Sequence, residues 1–192
     1  MTDIFAIAAL TFWPAIPLFW IPVHFATGFF RRLGLLTYLM PAITWLPLAY
    51  LIFINRTSFL SHRIDFPASL NMAGFPLLIA GTLLHLWTIR LLGVLGIIGV
   101  PEVSSIIKEH MVIRGPFSLV RHPTYLAHTF IFSGVFFITG VTAVGVVALA
   151  DFIIVNAVLI PLEEKELANR FGEEYKSYKR KVPARFFPGV HR

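Results

Sequence analysis

Long apolar runs separated by short polar breaks organise this sequence, and the breaks fall at Pro, Gly and Arg. Residues 4–30 are apolar apart from His24, long enough for a hydrocarbon core that takes about 20 residues to cross. Asp3 stands where a signal peptide would carry basic residues, so a retained helix is expected. Pro14, Pro17 and Pro22 predict kinks in it, and Arg31-Arg32 ends it. Residues 33–54, with Pro41 and Pro47, form a second span; a polar loop runs from Asn55 to about Ser69; residues 70–92 form a third span, ending near Arg90. Gly93, Gly96, Gly99 and Pro101 then break the helical pattern, and Pro101-Glu102 opens a short helix through Ile106, Ile107 and His110. Residues 124–139 are a short apolar run, marginal for a full crossing; Gly140 breaks it and 141–162 return as a tight helical hairpin.

From Leu162 the chain turns charged, with Leu167, Phe171, Tyr175 and Tyr178 at helical spacing. That is an amphipathic helix whose apolar stripe lies on the bundle or the lipid interface, with Gly172 as a break and Pro183 and Pro188 as stops. The expected fold is all-α. It is a polytopic membrane helix bundle of about five transmembrane helices with a C-terminal cytoplasmic amphipathic helix, a single membrane domain over residues 1–192.

Composition supports the membrane reading. Only 14% of the 192 residues are charged and the mean hydropathy is +0.77, too little polar surface to cover a soluble domain. A pI near 10.0 and a net charge of +6 would fit a nucleic-acid binder, but no binding motif accompanies them. Cation placement explains the charge better. With five spans, fourteen of the sixteen Lys and Arg residues fall on one side, and only Arg56 and Arg63 on the other. The richer side is expected to be cytoplasmic, in an inner membrane or endomembrane, with the N-terminus outside and the C-terminus inside. Zero Cys removes disulfides, thiolate metal sites and cysteine catalysis.

Two polar clusters fall on that side. Arg121-His122-Pro123-Thr124-Tyr125-Leu126-Ala127-His128 gathers one arginine, two histidines and a tyrosine at the start of an apolar run. As a helix start it explains Pro123, with Arg121 as an interfacial anchor. It leaves Tyr125 and His128, three apart on one face, either as functional groups or as buried structural ones. A metal site is not expected, because no third ligand lies near in sequence. Glu163-Glu164 follow the last span, where cations are the ordinary anchors. Asn156, seven residues before Glu163, is expected on its face. Asp151 lies deep in the same span, either functional or bonded within the bundle to Thr82, His85 or Trp87. His24 and His62 read as structural or loop residues.

Here the sequence resembles a family. Arg114-Gly-Pro-Phe-Ser-Leu-Val-Arg-His-Pro-Thr-Tyr-Leu-Ala is similar to the GPY-x3-RHPxYxG/A motif of isoprenylcysteine carboxyl methyltransferases and their prokaryotic relatives. Glu163-Glu164-x2-Leu167-x3-Phe171-Gly172-x2-Tyr175-x2-Tyr178, then Val182-Pro183 and Phe187-Pro188, resembles the same family's C-terminal signature. The likeness covers roughly residues 75–190 and leaves the role of 1–70 open. Ala127 replaces the commoner Gly, Lys165 stands where relatives often carry Glu, and the stretch after Gly93 is more apolar than the family's.

The resemblance implies S-adenosylmethionine as cofactor, bound at the cytoplasmic end of the last two spans and closed over by the C-terminal segment. It implies a lipophilic or prenylated acceptor entering from the bilayer. On this reading His122, Pro123, Tyr125, His128, Glu163 and Glu164 form the cofactor site, and Arg121 and Arg180 orient an acceptor carboxylate. The acceptor classes are a prenylated carboxylate, an amino-phospholipid, a prenol-linked lipid or a small thiol; an amine would need a general base. Two other readings are an NADPH-dependent membrane reductase similar to sterol reductases, which share an RHP-x-Y motif, and a non-enzymatic membrane protein.

Overall fold

The computed structural model describes residues 2–104 and 111–186. Ile106, Ile107, Lys108, His110, Phe187 and Pro188 lie outside the described residues.

The first apolar run folds as α1 (Asp3–Phe12) and α2 (Ala15–Phe25), with the joint at Trp13-Pro14. Proline there withholds an N–H from the helical ladder, so the helix turns where the sequence predicted a kink. A corner at Ala26 leads to α3 (Thr27–Leu33), a 3-10 turn (Gly34–Tyr38) and α4 (Leu39–Ile54). α5 (Arg56–Leu60) is a short loop helix. α6 (Ala68–Ile97) leaves helical geometry at Gly93 (φ 74°), the glycine expected to end the third span. α7 (Val100–Val103) is one turn, and Ser104 after it is extended.

α8 (Pro123–Thr139) has 17 residues, about 25 Å at 1.5 Å per residue, so it crosses only a thin core. α9 (Thr142–Ile154) passes through a π turn (Val155–Leu159) into α10 (Ile160–Phe171). Gly172 (φ 56°) separates α10 from α11 (Glu173–Lys181), so the amphipathic segment is two helices. Four of these segments, Asp3–Phe25, Thr27–Ile54, Ala68–Val103 and Thr142–Phe171, are long and apolar enough to cross a membrane, and α8 is a shorter fifth.

Contacts at the two ends give the crossing order. At one end Asp3 pairs with Arg63 at 3.0 Å, Ile64 N–H donates to Gly140 O and Thr142 N–H to His62 O. At the other, Arg31 pairs with Glu166 at 3.2 Å and Arg170 with Glu102 at 3.5 Å. The chain therefore alternates ends five times.

The antiparallel pair α6 and α8 forms the centre. Gly74 and Gly81, seven apart, face Gly134 and Ala127, also seven apart. A Cβ on Gly134 would lie 2.6 Å from Leu78 N and 2.8 Å from Gly74 O. Inside lipid there is little hydrophobic drive between helices, so such backbone approach is what holds them. α1 packs Ala6, Ala9 and Leu10 against Phe132, Val135, Val144 and Val147. α4 buries no residue and turns Ile43, Leu46 and Leu51 outward, as a lipid-facing helix would.

Two details of the last span depart from expectation. Asp151 is buried, but its partner is Trp13 of the first span, whose Nε1–H donates to Oδ1 at 3.1 Å; Thr82, His85 and Trp87 do not serve. Asn156 does not share the cavity face of Glu163. It sits in the π turn, which widens the helix ahead of Pro161 and breaks the seven-residue repeat, and its amide donates to Phe152 O.

Candidate active site

The sequence of α8 begins with Pro123 because the chain must bend sharply there. Proline supplies a fixed φ at a position whose N–H would have no helical partner. His122, just outside the helix, has φ −123° and ψ 60° and its carbonyl accepts the first turn's bond from Leu126. The C-terminal segment runs alongside: Arg121 N–H donates to Ala184 O at 3.0 Å and His122 N–H to Arg185 O at 3.2 Å.

Arg121 fastens that strap. Its Nη1 donates to Val182 O at 2.7 Å and to Pro183 O at 2.6 Å; Nε and Nη2 reach Glu164 Oε1 at 2.9 and 2.8 Å. Four of the five N–H groups of its guanidinium are thus used within the protein. Glu164 also takes Lys179 Nζ at 2.7 Å and His122 Nε2 at 3.3 Å. Arg121 and Glu164 are each buried, and a buried carboxylate needs this many donors to stay ionised.

His122 lies between the two adjacent carboxylates, with Nδ1 3.6 Å from Glu163 Oε2. Burial works to lower its pKa, but the hydrogen bonds and charges of Glu163 and Glu164 outweigh burial and raise it.

Glu163 faces a cavity of ≈ 270 Å³. Arg121, His122, Tyr125 and His128 line it from the α8 side, and Leu167, Phe171, Tyr175 and Tyr178 close it from α10 and α11. The predicted apolar stripe therefore packs on the bundle. Tyr178 donates to Phe117 O at 2.7 Å, which ties α11 to the 3-10 turn Gly115–Ser118. Burial pushes its hydroxyl up to about 12, and burial with the charge of Glu164 also raises Tyr175, so both keep their protons.

The structure separates the expected site residues. Arg121, His122, Tyr125, His128 and Glu163 converge on the cavity; Glu164 and Pro123 lie behind its lining, and Arg180 is exposed on α11 away from it. Lys179, one residue earlier, makes the contact with Glu164 instead.

Sequence reasoning missed other members. His24, read as structural, lines the cavity from α2, stacked on Trp20 with ring centroids 5.1 Å apart. His85 of α6 meets His128 at 5.1 Å. Glu102 and Arg170 complete the wall. The signal was present: His24 and His85 are lone ionisable groups in otherwise apolar spans. Several polar atoms here have no hydrogen-bond partner among the described residues: Glu163 Oε2, Tyr175 Oη, the Nδ1 of His85 and His128, and both ring nitrogens of His24.

A family model described as phospholipid methyltransferase matches residues 70–174, from the start of α6 into α11. The chain belongs to the phospholipid methyltransferase family. That family is among the isoprenylcysteine carboxyl methyltransferase-like membrane methyltransferases, as the motifs around Arg121 and Glu163 implied. No curated protein and no solved structure matches the chain. Membership makes this an integral membrane methyltransferase, of a family whose substrates are lipids and whose enzymes generally use S-adenosylmethionine.

Proposed function

We propose that the chain binds S-adenosylmethionine in the cavity between α8, α10 and α11 and methylates a lipid amine that enters from the bilayer. The charge distribution supports a cytoplasmic location for this end of the bundle, because Arg31, Arg32, Arg90, Arg114 and the described cations from Lys165 to Arg185 gather there.

The donor set fits the cofactor. Glu163 lines the cavity, and its buried Oε2 has the ion pair with His122 Nδ1 at 3.6 Å but no shorter hydrogen bond among the described residues, which suits it to an ammonium or ribose hydroxyls. Tyr175 Oη is a further polar atom without a hydrogen-bond partner among the described residues, and Trp20 and Phe117 offer aromatic faces to an adenine. The cofactor, when bound, supplies an electrophilic methyl group on a sulfonium. The protein positions the acceptor and excludes water, the main demands of an in-line displacement.

One observation carries the choice of amine. Both arginines that line the cavity are engaged: Arg121 with Glu164 and the strap carbonyls, Arg170 with Glu102 and Glu166. An acceptor carboxylate would have to pull one of them from a buried partner, which costs several kcal/mol, on the order of 3–5. This departs from the carboxylate acceptor implied by the motifs. An ammonium instead needs to lose a proton before it can be methylated, and the Nδ1 atoms of His85 and His128, without hydrogen-bond partners among the described residues, are our candidates to accept it.

The test is transfer of tritiated methyl groups by purified protein to two acceptors, an amino-phospholipid and a prenylated cysteine. Label is expected on the amine, and His128→Ala with His85→Ala should lower kcat for it. Base-labile methyl ester on the prenylated cysteine, with no label on the amine, would reject the amine reading and restore the carboxylate one.

A further inference from the structure

The family match begins at residue 70, so α2 lies outside the recognised pattern. Yet His24 of α2 is built into the cavity. It is only 6% exposed, it lines the wall, and both its ring nitrogens lack a hydrogen-bond partner among the described residues. The ring is held in place from behind. It stacks on Trp20 at an interplanar angle of 16°, and the far edge of that indole occupies the space that a Cβ on Gly99 would need. Phenylalanine could pack there without the cost of burying two bare nitrogens, so packing does not account for an imidazole. A bound ligand with a polar group at this wall does.

Position says which polar group. His24 lies in the last turn of α2, at the end of the bundle where Arg31 pairs with Glu166. It also lines a second cavity of ≈ 460 Å³, whose wall includes Arg31 and the exposed Lys165. Glu163, Arg170 and His122 are near enough to act on its ring electrostatically. His85, by contrast, lies eight residues before Gly93, about 12 Å further into the bundle, where it meets His128. The cavity thus has one polar pole beside water and another deep in the apolar spans. The aminoacyl tail of S-adenosylmethionine is a zwitterion, the part of the cofactor least suited to depth. Glu163 suits its ammonium, and its carboxylate needs a donor. Arg121 is committed to Glu164 and the strap carbonyls, Arg170 to Glu102 and Glu166, and His122 to the two adjacent carboxylates. An imidazole carries at least one N–H in either protonation state, so His24 can donate without displacing a buried partner.

We infer that His24 holds the carboxylate of the cofactor's aminoacyl tail through a ring N–H. This rests on the S-adenosylmethionine reading above. It gives the N-terminal spans a share in the cofactor site, and it leaves the deeper pair, His85 and His128, to the acceptor.

The test needs no turnover. Full-length protein in detergent is titrated calorimetrically with three ligands. S-adenosylhomocysteine has the whole tail, its decarboxylated analogue keeps only the amine, and 5′-methylthioadenosine has neither charged group. His24→Phe keeps a ring on Trp20 and removes both nitrogens. It should weaken S-adenosylhomocysteine roughly tenfold, the scale of one hydrogen bond to a charged group, and leave the other two ligands unchanged. His24→Leu, a second apolar replacement, should do the same. His24→Gln, which keeps an N–H donor, should lose less.

An equal loss for all three ligands would make His24 a structural residue. Equal losses for S-adenosylhomocysteine and the decarboxylated analogue, with 5′-methylthioadenosine unchanged, would move the contact to the amine. Either result overturns the assignment, and so does unchanged S-adenosylhomocysteine affinity in His24→Phe and His24→Leu. Failure of the cofactor reading is distinct: the unaltered protein would then not bind S-adenosylhomocysteine at all, and this inference would fall with it.

Discussion

Replacing Arg121 with lysine separates two jobs that the same residue could do. Motif resemblance makes Arg121 a clamp on an acceptor carboxylate, whereas the structure commits it to the strap and to Glu164. Lysine keeps the charge but concentrates it at one atom, so it cannot span Glu164 on α10 and the carbonyls of Val182 and Pro183 together. Glu164 keeps Lys179 and His122 in any case, so the variant stays paired there and loses mainly the two carbonyl bonds, at 2.7 and 2.6 Å. Hydrogen bonds to a charged group contribute about 1.5–3 kcal/mol each, and lysine recovers part of one, leaving a net loss of about 2 kcal/mol. That is roughly thirtyfold more opening of the strap. Hydrogen exchange reads it directly, because the amides of Arg121 and His122 are protected by the strap carbonyls of Ala184 and Arg185. Exchange at position 122 should quicken by that factor, turnover should fall, and the control Arg180→Lys, on an exposed side chain, should change neither. Lost turnover with unchanged exchange would refute the strap and return the guanidinium to a ligand.

Three further outcomes follow from the same contacts. Gly134→Ala should lower the melting temperature in detergent by an overpacking cost of about 1–3 kcal/mol, since the atoms its Cβ meets are backbone; Gly28→Ala, with nothing within 4 Å, should not. Glu163→Gln should weaken S-adenosylmethionine binding measured by calorimetry at least tenfold, on the order of one charge-assisted hydrogen bond, while leaving the fold intact; unchanged affinity would remove Glu163 from the cofactor site. The raised pKa of His122 gives a signed pH dependence. Its contribution to stability is fully present below its unfolded value of 6.5 and is lost as pH rises through the higher folded value, so melting temperature should decline across that window and flatten in His122→Gln.

The crossing helices were legible because their signal is local: apolar length, proline and glycine at the joints, cations at one end. Gly93, Gly140 and Gly172 each end or break a helix where the sequence placed a break, and the φ values of 74°, 64° and 56° give the reason. The site was legible only where its residues are contiguous in a motif. Trp13 as the partner of Asp151 was not, because 138 positions separate them and any of several spans would have served. Nor was the π turn, which lies just ahead of Pro161 and takes Asn156 off the face of Glu163. The first seventy residues carry no recognisable motif, yet Trp20, His24 and Arg31 come from them. A family pattern cannot display what a helix contributes through one side chain at a time.

Adjacent carboxylates illustrate how the fold divides labour that sequence presents as a pair. One helical step rotates Glu164 toward Arg121, His122 and Lys179, and leaves Glu163 on the cavity with only the longer contact to His122 at 3.6 Å given for it among the described residues. A caged carboxylate is a poor ligand for a cofactor because its lone pairs are spent; it is a good fastener because removing any donor leaves a buried charge short of partners. His122 joins the two, with one ring nitrogen toward each. The cage therefore fixes more than the strap. By holding His122 in place it sets the height of the ring beside Glu163. Loss of Glu164 should accordingly be felt first at Glu163, through a misplaced histidine, although Glu164 itself lies behind the cavity lining.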